Sequence, residues 1–269
     1  MDLTGLLHIA EDAARRTGVR LMERWRGPAV GVVAKSTPTD LASEADREAE
    51  RLLVSFIRSE RPDDGTMGEE GGSTPSASGV TWILDPLDGT INFLFGIPVW
   101  CVSVAARTGE GVVVGAVYDP TRDEMFSAMR GRGARLNDKP IHTSSRDDLA
   151  TALIGTGFSY DPRARRVQAE LLVRVLPQVR DIRRAGSAAL DLTSVACGRL
   201  DGVFEAPMEE WDKAAGVLLV NEAGGVTSPL EAPLGLSPGV VAAGARLHDK
   251  LRAVVVGTPE PDLGSQARH

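Results

Sequence analysis

The sequence predicts a layered α/β protein, and three features of its pattern carry that expectation. A long amphipathic segment opens the chain, with Leu6, Leu7, Ile9, Ala10, Ala13, Ala14, Val19, Leu21 and Met22 recurring at helical spacing over residues 3–25. From Trp82 to Met129 the pattern turns mostly β, and from Ala152 onward short apolar runs alternate with helical ones. A β-rich half followed by an alternating half packs as layers, with helices between sheets.

The elements follow in order. Residues 29–34 read as a short strand, and Ser43-Glu44-Ala45-Asp46 opens a second helix through Ile57, with Ser43 as cap and two acids in the first turn. The polar stretch 71–79 reads as a flexible loop, the least ordered part of the chain. Strands are predicted at 99–106, 112–118 and 124–129, with turn chemistry at 119–123 and further loops at 131–134 and 137–140. In the second half strands fall at 152–156, 182–184, 202–205 and 240–243. Helices fall at 167–179, 188–198, 212–223 and 248–255. No repeat is visible. A boundary near residue 145 separates two halves, 1–145 and 146–269, of one compact unit without a long linker.

At 269 residues and 42% hydrophobic content, the chain can bury a substantial core without covalent staples. Its two cysteines, Cys101 and Cys197, sit in apolar stretches without metal-knuckle or redox spacing, which predicts buried thiols and a reducing, cytoplasmic setting. A net charge of −7 makes nucleic acid a poor partner and repels anionic substrates unless a bound metal reverses the sign locally. Met1–Gly5 lacks a basic region followed by an apolar stretch, and no apolar run approaches the roughly 20 residues that span a bilayer. The expectation is no signal peptide and no membrane partner.

The chemistry concentrates in Trp82–Phe93. An apolar run ends in Asp85 and Asp88, three residues apart, with Pro86 between them and Gly89-Thr90 directly after. Asp-x-x-Asp-Gly-Thr at a strand end suits a hard divalent cation, which takes oxygen ligands and accepts a backbone carbonyl as one of them. Glu69-Glu70 upstream and Trp211-Asp212 downstream add carboxylates, and together these acids look like those of a metal-assisted phosphatase. Each motif alone also has an ordinary reading. Asp-Pro-x-Asp-Gly is a common turn, Glu69-Glu70 a solvated pair, and Asp212 a first-turn residue facing the helix macrodipole. The combination shifts the balance, because the apolar strand carries Asp85 inward and an unpaired buried carboxylate is costly. His8, His142, His248 and His269 are scattered without i,i+4 partners, which argues against zinc. No Gly-x-Ser-x-Gly elbow or Walker loop occurs, which argues against an acyl-transfer triad or a P-loop NTPase.

Six segments in order carry a resemblance over nearly the whole chain. They are Lys35-Ser36-Thr37-Pro38-Thr39-Asp40 with Asp46, Gly68-Glu69-Glu70, Asp85 to Phe93, Gly186-Ser187-Ala188-Ala189, Glu205, and Trp211-Asp212-Lys213-Ala214-Ala215-Gly216. In these the chain resembles the inositol monophosphatase family of Mg²⁺-dependent, lithium-sensitive phosphatases. The resemblance implies a layered α/β/α/β/α sandwich of the inositol monophosphatase and fructose-bisphosphatase type, a homodimer, and two or three Mg²⁺ per active site. It implies that Glu69, Asp85 and the Leu87 carbonyl hold one Mg²⁺, that Asp85, Asp88 and Asp212 hold a second, and that a third leans on Glu69 and water. The first half then carries most metal ligands, and the second carries Asp212 and the substrate contacts.

By the same resemblance Thr90, bonded to Asp46, orients the attacking water, which with Glu69 makes three catalytic residues. The Gly89-Thr90 amides face the phosphate. Asp88, the Gly186-Ser187-Ala188 backbone and Glu205 meet the hydroxyls of a polyol, although Gly186–Ala188 also reads as plain helix capping. Lys35 steadies the loop before Asp46, or is an ordinary surface lysine. Ile91 stands where many relatives carry a second Thr. The implied substrate is a myo-inositol monophosphate, within a class of small phosphorylated polyols or amino alcohols. Glu209-Glu210 before Trp211, where relatives often carry a histidine or a neutral residue, makes histidinol phosphate the rival, with fructose 1,6-bisphosphate third. Some members of the family act as transcription accessory factors, a non-enzymatic alternative.

Overall fold

The computed structural model describes residues 2–25, 31–34, 41–42, 44–69 and 71–257. Lys35, Ser43, Glu70 and the start of the 29–34 strand lie outside them. Helix α1 (Leu3–Trp25) turns Leu6, Ala10, Ala13, Ala14 and Leu21 inward, as its periodicity requires. A two-residue ladder, β1 (Val33–Ala34) with β2 (Leu41–Ala42), leads to α2 (Glu44–Glu60), which buries Ala49, Leu53 and Ile57.

The strands β3 (Gly65–Gly68), β4 (Gly72–Thr74), β5 (Thr81–Asp88), β6 (Cys101–Thr108), β7 (Gly111–Asp119), β8 (Glu124–Met129), β9 (Ala134–Leu136) and β10 (Lys139–Ile141) form one sheet in the order β10-β9-β8-β7-β6-β5-β3-β4. The short helix α3 (Thr90–Leu94) follows β5. The second half holds β11 (Leu153–Thr156), α4 (Pro162–Val175), β12 (Asp181–Arg183), α5 (Ala188–Ala196), β13 (Gly202–Glu205), α6 (Glu210–Glu222), β14 (Gly225–Leu230), β15 (Gly239–Gly244) and α7 (His248–Val256). Its five strands order as β12-β11-β13-β15-β14, parallel around β11 and antiparallel around β15.

Strand alternation sorts the side chains into three cores separated by the two sheets. On β5, Trp82 and Leu84 face α1 and α2, while Ile83 faces the opposite way. On β15, Val240 and Ala242 join Ile83 in the central core, whereas Val241 and Ala243 pack with α7. Helices α5 and α6 fill the centre, touching β7 on one side and β13 or β15 on the other. The result is the expected α/β/α/β/α layering: α1 and α2, the large sheet, α5 and α6, the small sheet, then α4 and α7.

Three local expectations need correction. The stretch 71–79 is not wholly loop: β4 pairs antiparallel with β3, and Ser78 Oγ donates to Asp64 Oδ1 at 2.5 Å. A polar, glycine-rich edge strand has no alternation to reveal it. The loops expected at 131–134 and 137–140 contain the β9–β10 hairpin, turned by Asn137 and Asp138, both at positive φ (45° and 64°), as a two-residue type I′ connection demands. Helix α4 begins at Pro162 rather than 167, because Asp161 caps it through the Arg163 amide (2.8 Å) and proline suits the first turn. Strands β3 and β14 carried no clear pattern in the sequence.

Candidate active site

A cleft of about 760 Å³ opens between the two halves, lined by Glu69, Asp85, Leu87, Asp88, Gly89 and Thr90 from the first, and by Gly186, Ala188, Glu205 and Asp212 from the second. Residues distant in sequence thus meet on one surface.

Strand β5 delivers two of them by an irregularity. Successive strand residues point to opposite faces, so Asp85 and Asp88, an odd number apart, would ordinarily face opposite ways. Across from them on β6, Asp85 pairs with Ser103 and Asp88 with Cys101, so three steps on β5 match two on β6. That extra residue is a bulge, and it turns both carboxylates toward the central layer. Pro86 lies within it, and a proline inside a strand is confined to such places. Gly89 then takes φ 98°, and a Cβ there would fall 2.9 Å from the Val99 carbonyl oxygen, so this sharp exit into α3 requires glycine.

Each carboxylate is fixed differently. Asp85, 2% exposed, accepts from the Leu87 amide at 3.0 Å. Asp88 accepts from Ser187 Oγ (2.6 Å), the Ala189 amide (2.7 Å) and, at its other oxygen, the Ala188 amide (3.3 Å). It therefore ties the first half to the N-terminus of α5. Ser187 also caps that helix through the Leu190 amide, so the helix-capping reading of Gly186-Ser187-Ala188 holds. Asn92 adds a second tie, donating to the carbonyls of Val99 (2.7 Å) and Ala185 (2.9 Å). Asp212, in the first turn of α6, accepts from the Glu209 amide at 2.7 Å. Thr90 Oγ1 donates toward Asp46 Oδ1 (2.8 Å) and the Leu87 carbonyl (3.1 Å), with Asp46 buried in the first turn of α2.

Burial, then the charges of Glu69, Asp88 and Asp212, push the Asp85 carboxyl well above the ordinary range. Asp212 is driven the same way by burial and by Asp88, Glu69 and Glu205, with the Glu209 amide opposing. Asp88 is raised by burial, against the Ser187, Ala189, Ala188 and Cys101 donors. Glu205 is pushed up to about 8 by burial and by Asp191 and Asp88, with Arg184 opposing. The neighbouring charges that raise the Asp85, Asp212 and Glu205 carboxyls exert electrostatic repulsion, which an oxygen-loving cation would relieve.

Among the described residues no three such side chains stand close enough to hold a metal ion as they are. Asp85, Asp88 and Asp212 each accept from backbone amides, and Asp88 also from the Ser187 hydroxyl. The donor set is all oxygen, buried and mutually repulsive, and in that chemistry it fits a hard divalent ion.

Sequence reasoning missed Asp191, Arg184 and the 235–237 segment. Asp191, 3% exposed on α5, is pushed up to about 8 by burial and by Asp88, with Arg184 opposing. Arg184 and Gly235–Ser237 line the cleft directly. An acid four residues after the capping Ser187 was the one available signal, and it reads equally well as a dipole interaction. Of the rim acids, Glu209 accepts from the neutral Ser237 Oγ at 2.6 Å, and Glu210 lies 3.8 Å from Arg107 and 3.6 Å from Lys213.

The same layering recurs in solved structures. The extragenic suppressor protein suhB of Bartonella henselae superposes with a TM-score of 0.87 at 36% identity, covering 94% of this chain and all of that one. Inositol-1-monophosphatase SuhB of Mycobacterium tuberculosis is 46% identical over 237 residues, 83% of this chain and 81% of its own length. Nus factor SuhB of Xylella fastidiosa is 43% identical over 220 residues, 81% of this chain and 80% of its own. These relatives define a class of layered α/β proteins of the inositol monophosphatase and SuhB type. The chain belongs to the inositol monophosphatase family, whose model matches residues 2–258. The family supports a metal-dependent phosphatase acting on a phosphorylated substrate. Among the described residues no helix is long and apolar enough to cross a membrane.

Proposed function

We propose that this protein is a Mg²⁺-dependent phosphomonoesterase that hydrolyses a myo-inositol monophosphate in the cytoplasm, acting as a homodimer. The observation that carries the reading is Asp85, buried within reach of the charges of Glu69, Asp88 and Asp212, beside a Thr90 hydroxyl bonded to Asp46. Those four carboxylates and the Leu87 carbonyl would hold the ions. Mg²⁺ there would neutralise phosphoryl charge and acidify a bound water.

The chain's own groups supply the rest. Thr90 Oγ1 spends its one proton on Asp46 or Leu87, so toward the cleft it only accepts. A water beside it presents an O–H to Thr90 and turns a lone pair to phosphorus. Glu69, on the cleft wall, takes the proton as the water oxygen bonds to phosphorus and the ester P–O bond breaks, and the departing alkoxide takes a proton from solvent water to leave as the alcohol. The Gly89 and Thr90 amides donate to the phosphoryl oxygens. No covalent nucleophile is required, since phosphoryl transfer is mainly positioning and charge stabilisation.

The alcohol side favours a polyol over an amino alcohol. Extra negative charge at the rim would draw a cationic alcohol, but Arg107 at 3.8 Å and Lys213 at 3.6 Å from Glu210 offset part of it. Phosphate release from inositol 1-phosphate, histidinol phosphate and fructose 1,6-bisphosphate, with and without chelator, tests the reading. Inositol phosphate turned over only with Mg²⁺ is expected; a hundredfold preference for histidinol phosphate would overturn the substrate.

A second reading rests on the relatives named Nus factor SuhB: a transcription-accessory role. Recovery of RNA polymerase subunits on the protein, undiminished by Asp88→Asn, would support it.

A further inference from the structure

Helix α4 carries one residue out of character with its inward face. Ala164, Leu171 and Val175 turn toward the core at helical spacing, and Gln168 stands among them, 7% exposed. An amide at such a position is costly unless its donors and acceptors are used. Both ends of this one are. Gln168 Oε1 accepts from the Ser159 amide at 3.0 Å, and Nε2 donates to the Ala206 carbonyl at 2.7 Å.

Those partners belong to two segments of the cleft wall. Residues 157–161 follow strand β11, residues 207–209 follow shortly after strand β13, and both stretches line the cleft, whereas Gln168 lies behind it. The two strands pair as far as Thr156 opposite Phe204. Past that point the Gln168 amide spans the two chains as one acceptor and one donor, in place of the ladder. Ser159 is fixed further: Arg165 Nε donates to its carbonyl (2.5 Å), and its hydroxyl accepts from the Asp161 amide (3.1 Å). The Glu205 carboxylate lies against Gly157, where a Cβ would overlap it. Its place therefore depends on the spacing of the two segments, which Gln168 sets from behind.

We propose that Gln168 is a positioning residue for substrate selection: by tying Ser159 to Ala206, it fixes where Glu205 stands and how tightly the cleft holds the alcohol portion of the ester. Without the bridge the 157–161 segment and the end of β13 separate, and the polyol loses affinity. The carboxylates and amides of the first-half wall keep their places. The inference rests on the phosphomonoesterase reading with a polyol as its alcohol.

The test compares wild type with Gln168→Met, which keeps the length of the side chain without its amide. The substrates are inositol 1-phosphate and n-butyl phosphate, whose alcohol portion carries no hydroxyl. The KM for inositol 1-phosphate should rise about tenfold, the scale of one hydrogen bond to a charged group, with kcat within about twofold. Butyl phosphate kinetics should not change, and the Ser159 amide should exchange its hydrogen faster than in the wild type. Gln168→Glu, whose protonated carboxyl offers the same acceptor and one donor, should recover most of the loss. Should Gln168→Met not fold, Gln168→Asn, a methylene too short to span both partners, is read against the same outcomes. An unchanged KM for inositol 1-phosphate, an equal loss on both esters, or a Gln168→Glu protein no better than Gln168→Met overturns the inference while leaving the phosphatase reading intact. A wild-type protein inactive on both esters with saturating Mg²⁺ overturns that reading, and this inference falls with it.

Discussion

The two walls of the cleft are built on opposite plans. On the first-half wall the polar groups are anchored to backbone and hydroxyls: Asp85 to Leu87, Asp88 to Ser187, Ala188 and Ala189, Thr90 to Asp46 and Leu87. On the second-half wall the Arg184 and Glu205 side chains line the cleft but make no hydrogen bond among the described residues. The difference separates two tasks. Groups that position a reaction gain from rigidity set by neighbouring bonds. Groups that recognise a ligand gain from keeping their donors and acceptors for it.

Substitutions on the anchored wall sharpen this contrast. Asp88→Asn removes a charge and an acceptor where the halves meet, so turnover should fall about a thousandfold, while the circular dichroism spectrum stays native. Retained turnover at saturating Mg²⁺ would break the division of labour. Thr90→Ala should reduce kcat about a hundredfold and leave the Mg²⁺ dependence nearly unchanged, because the hydroxyl faces the water. Parallel losses in both would reassign Thr90 to holding the ion.

A smaller effect comes from a carboxylate outside the cleft. Asp64 is buried like Asp85, but it receives Arg61 (2.9 Å), Ser78 (2.5 Å) and the Trp82 indole (2.9 Å). Burial alone would raise its pKa, and these three donors outweigh it and hold it below the ordinary value. A depressed carboxylate stabilises the fold above its unfolded pKa, near 3.8. That stabilisation is lost as the pH falls through the lower folded value. Asp64→Asn should therefore cost about 1 kcal/mol at pH 7, and the gap from wild type should close below pH 4. Thermal melts at the two pH values check it; a gap unchanged at pH 3 would mean that packing, not charge, is what the substitution removes.

The legible parts of this molecule were those where one residue type in one local pattern decides the outcome. The stripe from Leu6 to Leu21 announced α1, and the run ending at Asp85 announced a buried carboxylate. Gly89-Thr90 marked the exit into α3. What stayed hidden depends on pairing between distant segments. The β5 bulge is defined only against Ser103 and Cys101 on β6. Edge strand β4 is polar because one of its sides has no neighbour. Arg184 and Asp191 acquire meaning only when α5 docks beside Asp88, and Ser187 revealed its cap but not its hold on Asp88.

The central proposition is that Glu69, Asp85, Asp88 and Asp212, which repel one another as they stand, act together on a divalent cation. Calorimetric titration of Mg²⁺ into chelator-treated protein, and into Glu69→Gln, Asp85→Asn, Asp88→Asn and Asp212→Asn, addresses it without any substrate. A saturable heat in the wild type that is lost or strongly weakened in all four variants is the expected result. No saturable heat in the wild type, or variants that titrate as it does, would contradict the account.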